Sequence, residues 1–389
     1  DCSFRVTCTM GKDIFYMGIR SISGVLFYTY IVANVSLNEA IFVSLLLNIL
    51  MSSKGILDPG FSQYILTKKS KDIFSYAYIK FLVLVLVFGC VVYVLTENIL
   101  FGIFTIYFQN IIFGGIVYNY LVVDNRRHSQ FFILWQVLGF LIVIISLNYA
   151  ILRYLMLLYT LPYILLVIRS PKIKLDSEIK SELWNYMRPI FLVSVVYFVY
   201  GISERIVFEI TNNRELNIAA QFFNYILAIM TLIYTQFSRV YVVYRDEADE
   251  YIRKYSKLLT IFPTLLLIAM WGINTYYFDY NISYILSSLL FGSLMVSIFL
   301  LQMGYVRDKT KLIGKIQLIT LLISILVVLL AFAIGYQDLN LLVVKLLMLQ
   351  VIQIVVYARN FGWPMNDYGL LFKRQILLAS VCGLILDVL

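Results

Sequence analysis

The chain has 389 residues, of which 61% are hydrophobic, 16% aromatic and only 14% charged, with a mean hydropathy of +0.87 and a formal charge of +9. Soluble domains carry roughly a quarter charged residues, so a water-soluble fold is excluded. The basic residues are spread between apolar runs rather than gathered in one patch, which argues against nucleic acid as a partner and points to a multi-pass membrane protein.

Residues 1–9 precede Met10, a natural start in "MGKDIFYMG", and look like neither a signal peptide nor a span. A helical span needs about 20 mostly apolar residues. Such runs fall at 13–33, 40–66, 73–95, 99–122, 131–150, 152–168, 187–210, 216–243, 257–277, 282–305, 313–336 and 340–358, and a shorter thirteenth at 375–388. Continuous runs of this length are helical; a barrel would show alternating strands of about ten residues. The expected fold class is all-α: a polytopic membrane protein of about twelve transmembrane helices in two six-helix bundles around a central cavity. The bundles are expected at 13–168 and 187–360, with a tail at 361–389 that carries the thirteenth run. Between the bundles, 169–186 reads as a cytoplasmic linker containing a short amphipathic helix, because Leu175, Ile179 and Leu183 recur at i, i+4 and i+8.

Taken in alternation, one set of connecting segments holds 23 Lys and Arg residues, among them "TKKSK", "DNRRHS" and 169–188. The opposite set is short throughout and holds only Arg153 and Arg214. Positive loops stay inside, so the N-terminus and the end of the twelfth span are expected in the cytoplasm. Cys2, Cys8, Cys90 and Cys382 show no CxxC spacing, and the one histidine, His128, stands alone in a loop. Neither a disulfide framework nor a metal site is expected. No phosphate-binding glycine loop or nucleophile elbow is present, so the chain does not read as an enzyme.

Six bases fall inside spans: Arg20, Lys54, Lys80, Arg205, Arg239 and Lys345; the acids beside them are Asp58, Glu204 and Glu209. A charge at a helix centre costs about 2.5–3.5 kcal/mol on insertion scales. These nine must therefore face protein, water or one another, though Lys80 and Arg239 lie near enough to span ends to snorkel. Lys54–Asp58 and Arg205–Glu209 are each spaced i, i+4, within pairing reach on one helix face. Neutral pairs that merely hold helices together are one reading. Six bases against three acids leave a surplus, however, and an uncompensated buried cation is costly unless water or an anion reaches it. The favoured reading is a cationic, hydrated cavity for an anionic substrate. In "KGILDPG", Pro59 removes a backbone donor and disfavours helix at Asp58, while Gly60 opens dihedrals closed to other residues. A broken helix is tolerated in a membrane only against protein or cavity water, so this stretch is expected to face inward.

Two stretches carry a family likeness. "GILDPGFSQYILTKKSKD" resembles the acidic-x-Gly ending and basic cytoplasmic turn of bacterial O-antigen (Wzx-like) polysaccharide flippases, members of the multidrug/oligosaccharidyl-lipid/polysaccharide exporter superfamily. "SERIVFEITNNRELNIAAQFFNYILAIMTLIYTQFSRVY" is similar to their acidic-basic pair, short polar turn and return helix, with Gln221 where tyrosine is frequent. The matching positions are Asp58 and Gly60, then Glu204 and Arg205. The resemblance implies a transporter of the bacterial cytoplasmic membrane that moves an oligosaccharide on undecaprenyl pyrophosphate to the outer leaflet. Its partners would be that lipid-linked substrate, membrane lipid and other polysaccharide-assembly proteins. No cofactor is expected; a proton or sodium gradient would drive it. Arg20, Lys54, Arg205, Arg239 and Lys345 would supply the positive field, Lys80 less so, and Asp58, Glu204 and Glu209 would pair with bases or bind the coupling ion. The alternatives are an O-antigen polymerase, which should carry a sizeable outer loop, and a multidrug antiporter, which should favour acidic residues.

Overall fold

A computed structural model describes residues 18–19, 22–58, 60–61, 64–65, 131, 134–135, 137–141, 144–145, 177–243, 248–307, 309–336, 338–362 and 366–389. The elements among them are helical: α1 (Ile22–Asn34), α2 (Leu37–Leu57), α3 (Ser177–Ile210), α4 (Leu216–Val243), α5 (Ala248–Ile273), α6 (Tyr284–Val306), α7 (Thr310–Ala333), α8 (Asn340–Phe361) and α9 (Asn366–Val388). Five helical stretches among the described residues are long and apolar enough to cross a membrane: Lys180–Ile210, Leu259–Phe278, Tyr284–Gly304, Thr310–Ala333 and Asn340–Phe361. The chain divides into two compact units, Phe15–Phe198 and a second that includes Val199–Leu389, with the boundary inside α3.

In the first unit, α1 and α2 are joined by Val35 and Ser36, and the Tyr28 and Ser44 hydroxyls hydrogen-bond across the hairpin. Ser36 and Glu39 form a capping box at the start of α2. The Ser36 amide and hydroxyl donate to Glu39 Oε2 (2.9 and 2.8 Å), and the Glu39 amide donates back to Ser36 Oγ (3.4 Å). At its other end α2 stops at Leu57. Gly60 takes φ +102°, its amide donates to the Asp58 carbonyl (2.7 Å), and the Tyr64 amide donates to the Gly60 carbonyl (2.8 Å). A side chain at Gly60 would meet Ile190 Cδ1 at 2.7 Å, and Tyr64 packs edge-on against Tyr186 at 5.2 Å. The break is thus buried against the first half of α3.

From Ser177 on, the surface helix expected within 169–186 and the span expected from 187 are one 34-residue helix with Pro189 inside it. Proline deprives only the carbonyl four residues back of its donor. That residue, Asn185, is exposed, so water or headgroups can satisfy it. Leu183, Tyr186 and Met187 keep one face buried while Trp184 stays exposed.

In the second unit α6 is the hub. It packs against α4, α8 and α9, while α5 lies on α9 and α7 on α8. Of its apolar window 78% is buried, against 28% for α7, whose Leu322, Leu326, Leu329 and Leu330 point outward as lipid-facing residues would. Glycine sets the closest approach: a Cβ at Gly383 on α9 would lie 2.7 Å from the Tyr284 carbonyl oxygen. That proximity lets Asp387 accept from the Tyr284 and Ile285 amides (2.6 and 3.0 Å), capping α6 from a helix a hundred residues away in sequence. At the same end Asn340 Oδ1 accepts from the Ser283 amide (2.7 Å). After α5 the chain makes one π-helical turn, Asn274–Phe278, where the Asn274 side chain donates to the Tyr280 carbonyl (2.8 Å) and the Tyr284 hydroxyl (3.0 Å).

Candidate functional site

Charged side chains meet inside the second unit where α3, α4 and α8 converge. Glu204 and Arg205 lie near the C-terminal end of α3, and Lys345 lies on the second turn of α8. At 1.5 Å rise per residue each sits about 8 Å inside its helix end. All three are buried, at 1%, 2% and 1% exposure. Lys345 Nζ is ion-paired with Glu204 Oε2, donates to the Tyr200 carbonyl (2.9 Å), and stands 4.1 Å from the centre of the Tyr200 ring. Glu204 Oε1 is 3.8 Å from Arg205 Nε, so one carboxylate bridges two cations.

The guanidinium also donates to neutral oxygens on α4. Arg205 Nη1 bonds the Asn217 carbonyl and reaches Asn217 Oδ1 at 3.5 Å; Nη2 reaches Gln221 Oε1 at 3.5 Å. Asn217 and Gln221 are themselves fully buried. Among the described residues the centre holds one acid and two bases. Amide and carbonyl oxygens of α3 and α4 also face the two cations. Ser203 Oγ stands 3.4 Å from Glu204 Oε2 and donates to the Tyr200 carbonyl at 2.8 Å.

Glu209 takes partners other than its i−4 neighbour. It pairs with Arg214 (3.1 Å) and accepts from Asn217 Nδ2 (2.9 Å), so it belongs to the turn between α3 and α4. The backbone explains this: Arg205 points at the α4 dipoles, while Glu209 lies one turn on, where the chain reverses through Asn212 at φ +63°. Asn217 touches both and so ties the turn to the centre.

The other candidate positions fall elsewhere. Asp58 is half-buried beside the α2 break, in the first unit, and Gly60 is buried there. Arg20, Pro59 and Lys80 lie outside the described residues, as do the side chains of Lys54 and Arg239. The sequence reading missed Asn217 and Tyr200 as parts of the centre and noted Gln221 only as a departure. A signal existed, since Asn217 and Gln221 are spaced i, i+4 in the first two turns of a largely apolar helix. Among the described residues no group of three or more His, Cys, Asp or Glu side chains converges as a metal site would require.

No protein-family model, curated protein or solved structure matches the chain.

Proposed function

We propose that this chain is a flippase that carries an oligosaccharide on undecaprenyl pyrophosphate across the bacterial cytoplasmic membrane by alternating access. One observation carries the reading. Arg205 and Lys345 are withdrawn from lipid into the interior of membrane-length helices, where both face the Glu204 carboxylate. A phosphate-bearing headgroup is the kind of ligand that two buried cations side by side suit. The resemblance of "GILDPGFSQYILTKKSKD" and the α3–α4 stretch to polysaccharide flippases supports it, as do short connections such as the turn between Ile210 and Leu216. An O-antigen polymerase would need a longer outer loop.

In this reading the N-terminus is cytoplasmic, twelve spans form two bundles, and Arg20, Lys54 and Arg239 add to the positive field. The test is complementation of a flippase-deficient strain. The wild-type chain restores surface polysaccharide; Lys345→Gln, inserted in equal amount, does not. Undiminished polysaccharide from the Lys345→Gln chain would overturn the proposal.

A further inference from the structure

We infer that the exposed face of the first turns of α3 is a binding site for an anionic phospholipid, recognised by Arg188, Trp184 and Lys180. Such a site goes beyond the translocation reading and is independent of what the protein carries. Lys180, Trp184 and Arg188 recur at i, i+4 and i+8, so they form one stripe along the helix. All three are exposed, Trp184 by 58%. Among the described residues none of the three has a hydrogen bond, ion pair or ring contact.

Packing on the opposite side fixes the stripe outward. Leu183, Tyr186 and Met187 are buried, with Tyr64 edge-on against Tyr186 and Ile190 against Gly60. The acids of these turns stand off the stripe. Glu182 is hydrogen-bonded to the Tyr64 hydroxyl. Neither Glu178 nor Glu182 lies three or four residues from Lys180, Trp184 or Arg188, the spacing at which helix side chains meet. The stripe itself therefore carries two cations and no acid.

Length places it at a membrane surface. At the average tilt of about 20° a helix takes about 21 residues to cross about 30 Å of hydrocarbon. Counted back from the end of α3 at Ile210, that thickness runs out at Pro189. Arg188 then lies at the boundary, Trp184 about 7 Å beyond it in the headgroup layer, and Lys180 about 13 Å beyond, at the aqueous edge. Past Pro189 the exposed side chains turn apolar, with Phe191, Leu192 and Val195 facing where acyl chains would run. Cation, aromatic ring and apolar face thus follow one another in the order of a lipid's headgroup, glycerol and chains. Residues 169–188 are also one of the basic segments expected on the cytoplasmic side, where anionic lipid attracts them.

The experiment reconstitutes the full-length protein in phosphatidylcholine vesicles containing phosphatidylglycerol, with brominated acyl chains on one lipid or the other. Bromine quenches only a ring it touches. The chain has four tryptophans, so the Trp184 signal is the difference in fluorescence between wild type and Trp184→Phe. Competition with unbrominated lipid gives the relative affinity at that position. Phosphatidylglycerol should be preferred by at least about fivefold, the factor that one basic residue near an anionic surface supplies. Lys180→Gln with Arg188→Gln should abolish the preference. Salt at about 1 M, which screens charges beyond about 3 Å, should weaken it in the wild type.

Three results would overturn the site. Quenching by neither lipid would mean that protein covers the stripe. Equal quenching by both would make Trp184 an interfacial ring with no headgroup preference. A preference kept by the double variant would take Lys180 and Arg188 out of it. Should the double variant fail to insert, the salt dependence of the wild type decides, and a salt-independent preference overturns the site. Undiminished export by Lys345→Gln would defeat the translocation reading and leave this preference in place, so the two fail separately.

Discussion

Removing either partner of the Glu204–Lys345 ion pair breaks the same contact, yet the two losses should differ in size because they leave different charge behind. Lys345→Met leaves Glu204 facing Arg205 across 3.8 Å, a neutral pair. At an effective dielectric constant of about 20 that attraction is about 4 kcal/mol before desolvation. The Tyr200 carbonyl keeps the Ser203 hydroxyl at 2.8 Å. The net cost of Lys345→Met should be about 1–2 kcal/mol, below the usual penalty for stranding a buried charge. Glu204→Gln instead removes the carboxylate that both buried cations face, and should cost about 3–5 kcal/mol, as breaking a buried pair from its shared partner does. The double variant restores the wild-type net charge and should recover about 2 kcal/mol of the Glu204→Gln loss. Unfolding by sodium dodecyl sulfate in mixed micelles, followed by tryptophan fluorescence, measures all three. Equal losses in the two single variants, or a larger loss in Lys345→Met, would refute the claim that charge imbalance governs this centre.

Three further outcomes are expected. Gly383→Ala places a methyl 2.7 Å from the Tyr284 carbonyl oxygen and 3.0 Å from Ile285 Cα, backbone atoms that cannot swing aside, so it should cost about 1–3 kcal/mol in the same unfolding assay. Gly272→Ala meets nothing within 4 Å and should cost nothing. Glu39, in the exposed first turn of α2 ahead of the apolar run, is held below the usual glutamate range by the Ser36 amide and then the Ser36 hydroxyl. Its folded value is depressed, so its capping contribution is complete above the ordinary glutamate value and is lost as pH falls through the lowered one. Amide exchange at the start of α2 should quicken across that acid window and lose this pH dependence in Glu39→Gln. Cysteine at Asn212 or Tyr276, both exposed, should be labelled from the periplasm and cysteine at Lys311 from the cytoplasm; the reverse pattern would invert the proposed orientation.

Much of the helical layout was legible locally. The run read at 216–243 is α4, and the runs at 282–305, 313–336 and 340–358 lie within three residues of α6, α7 and α8 at each end. Apolar content summed over some 20 residues is a property of the segment alone, and the energetic demand of a bilayer makes it decisive. The stop after Leu57 was legible for a similar reason, because the conformations open to Gly60 are set by its own missing Cβ. The shorter run at 375–388 proved to be the C-terminal part of α9, whose earlier turns carry Asp367, Lys373 and Arg374 and so hid it from a hydropathy reading.

The identity of each charge's partner was decided only in three dimensions. Spacing along α3 offered Glu209 to Arg205, but the centre forms instead with Glu204, with the oxygens of Asn217 and Gln221 on α4, and with Lys345 at a separation of 141 residues. Asp387 likewise reaches the α6 amides only because Gly383 lets two backbones touch. An i, i+4 rule describes one helix surface in isolation. Burial makes every helix face compete with its neighbours for the same charged group, and which neighbours those are depends on how the helices pack. Segment hydropathy thus determined what enters the membrane; packing determined which side chains meet there.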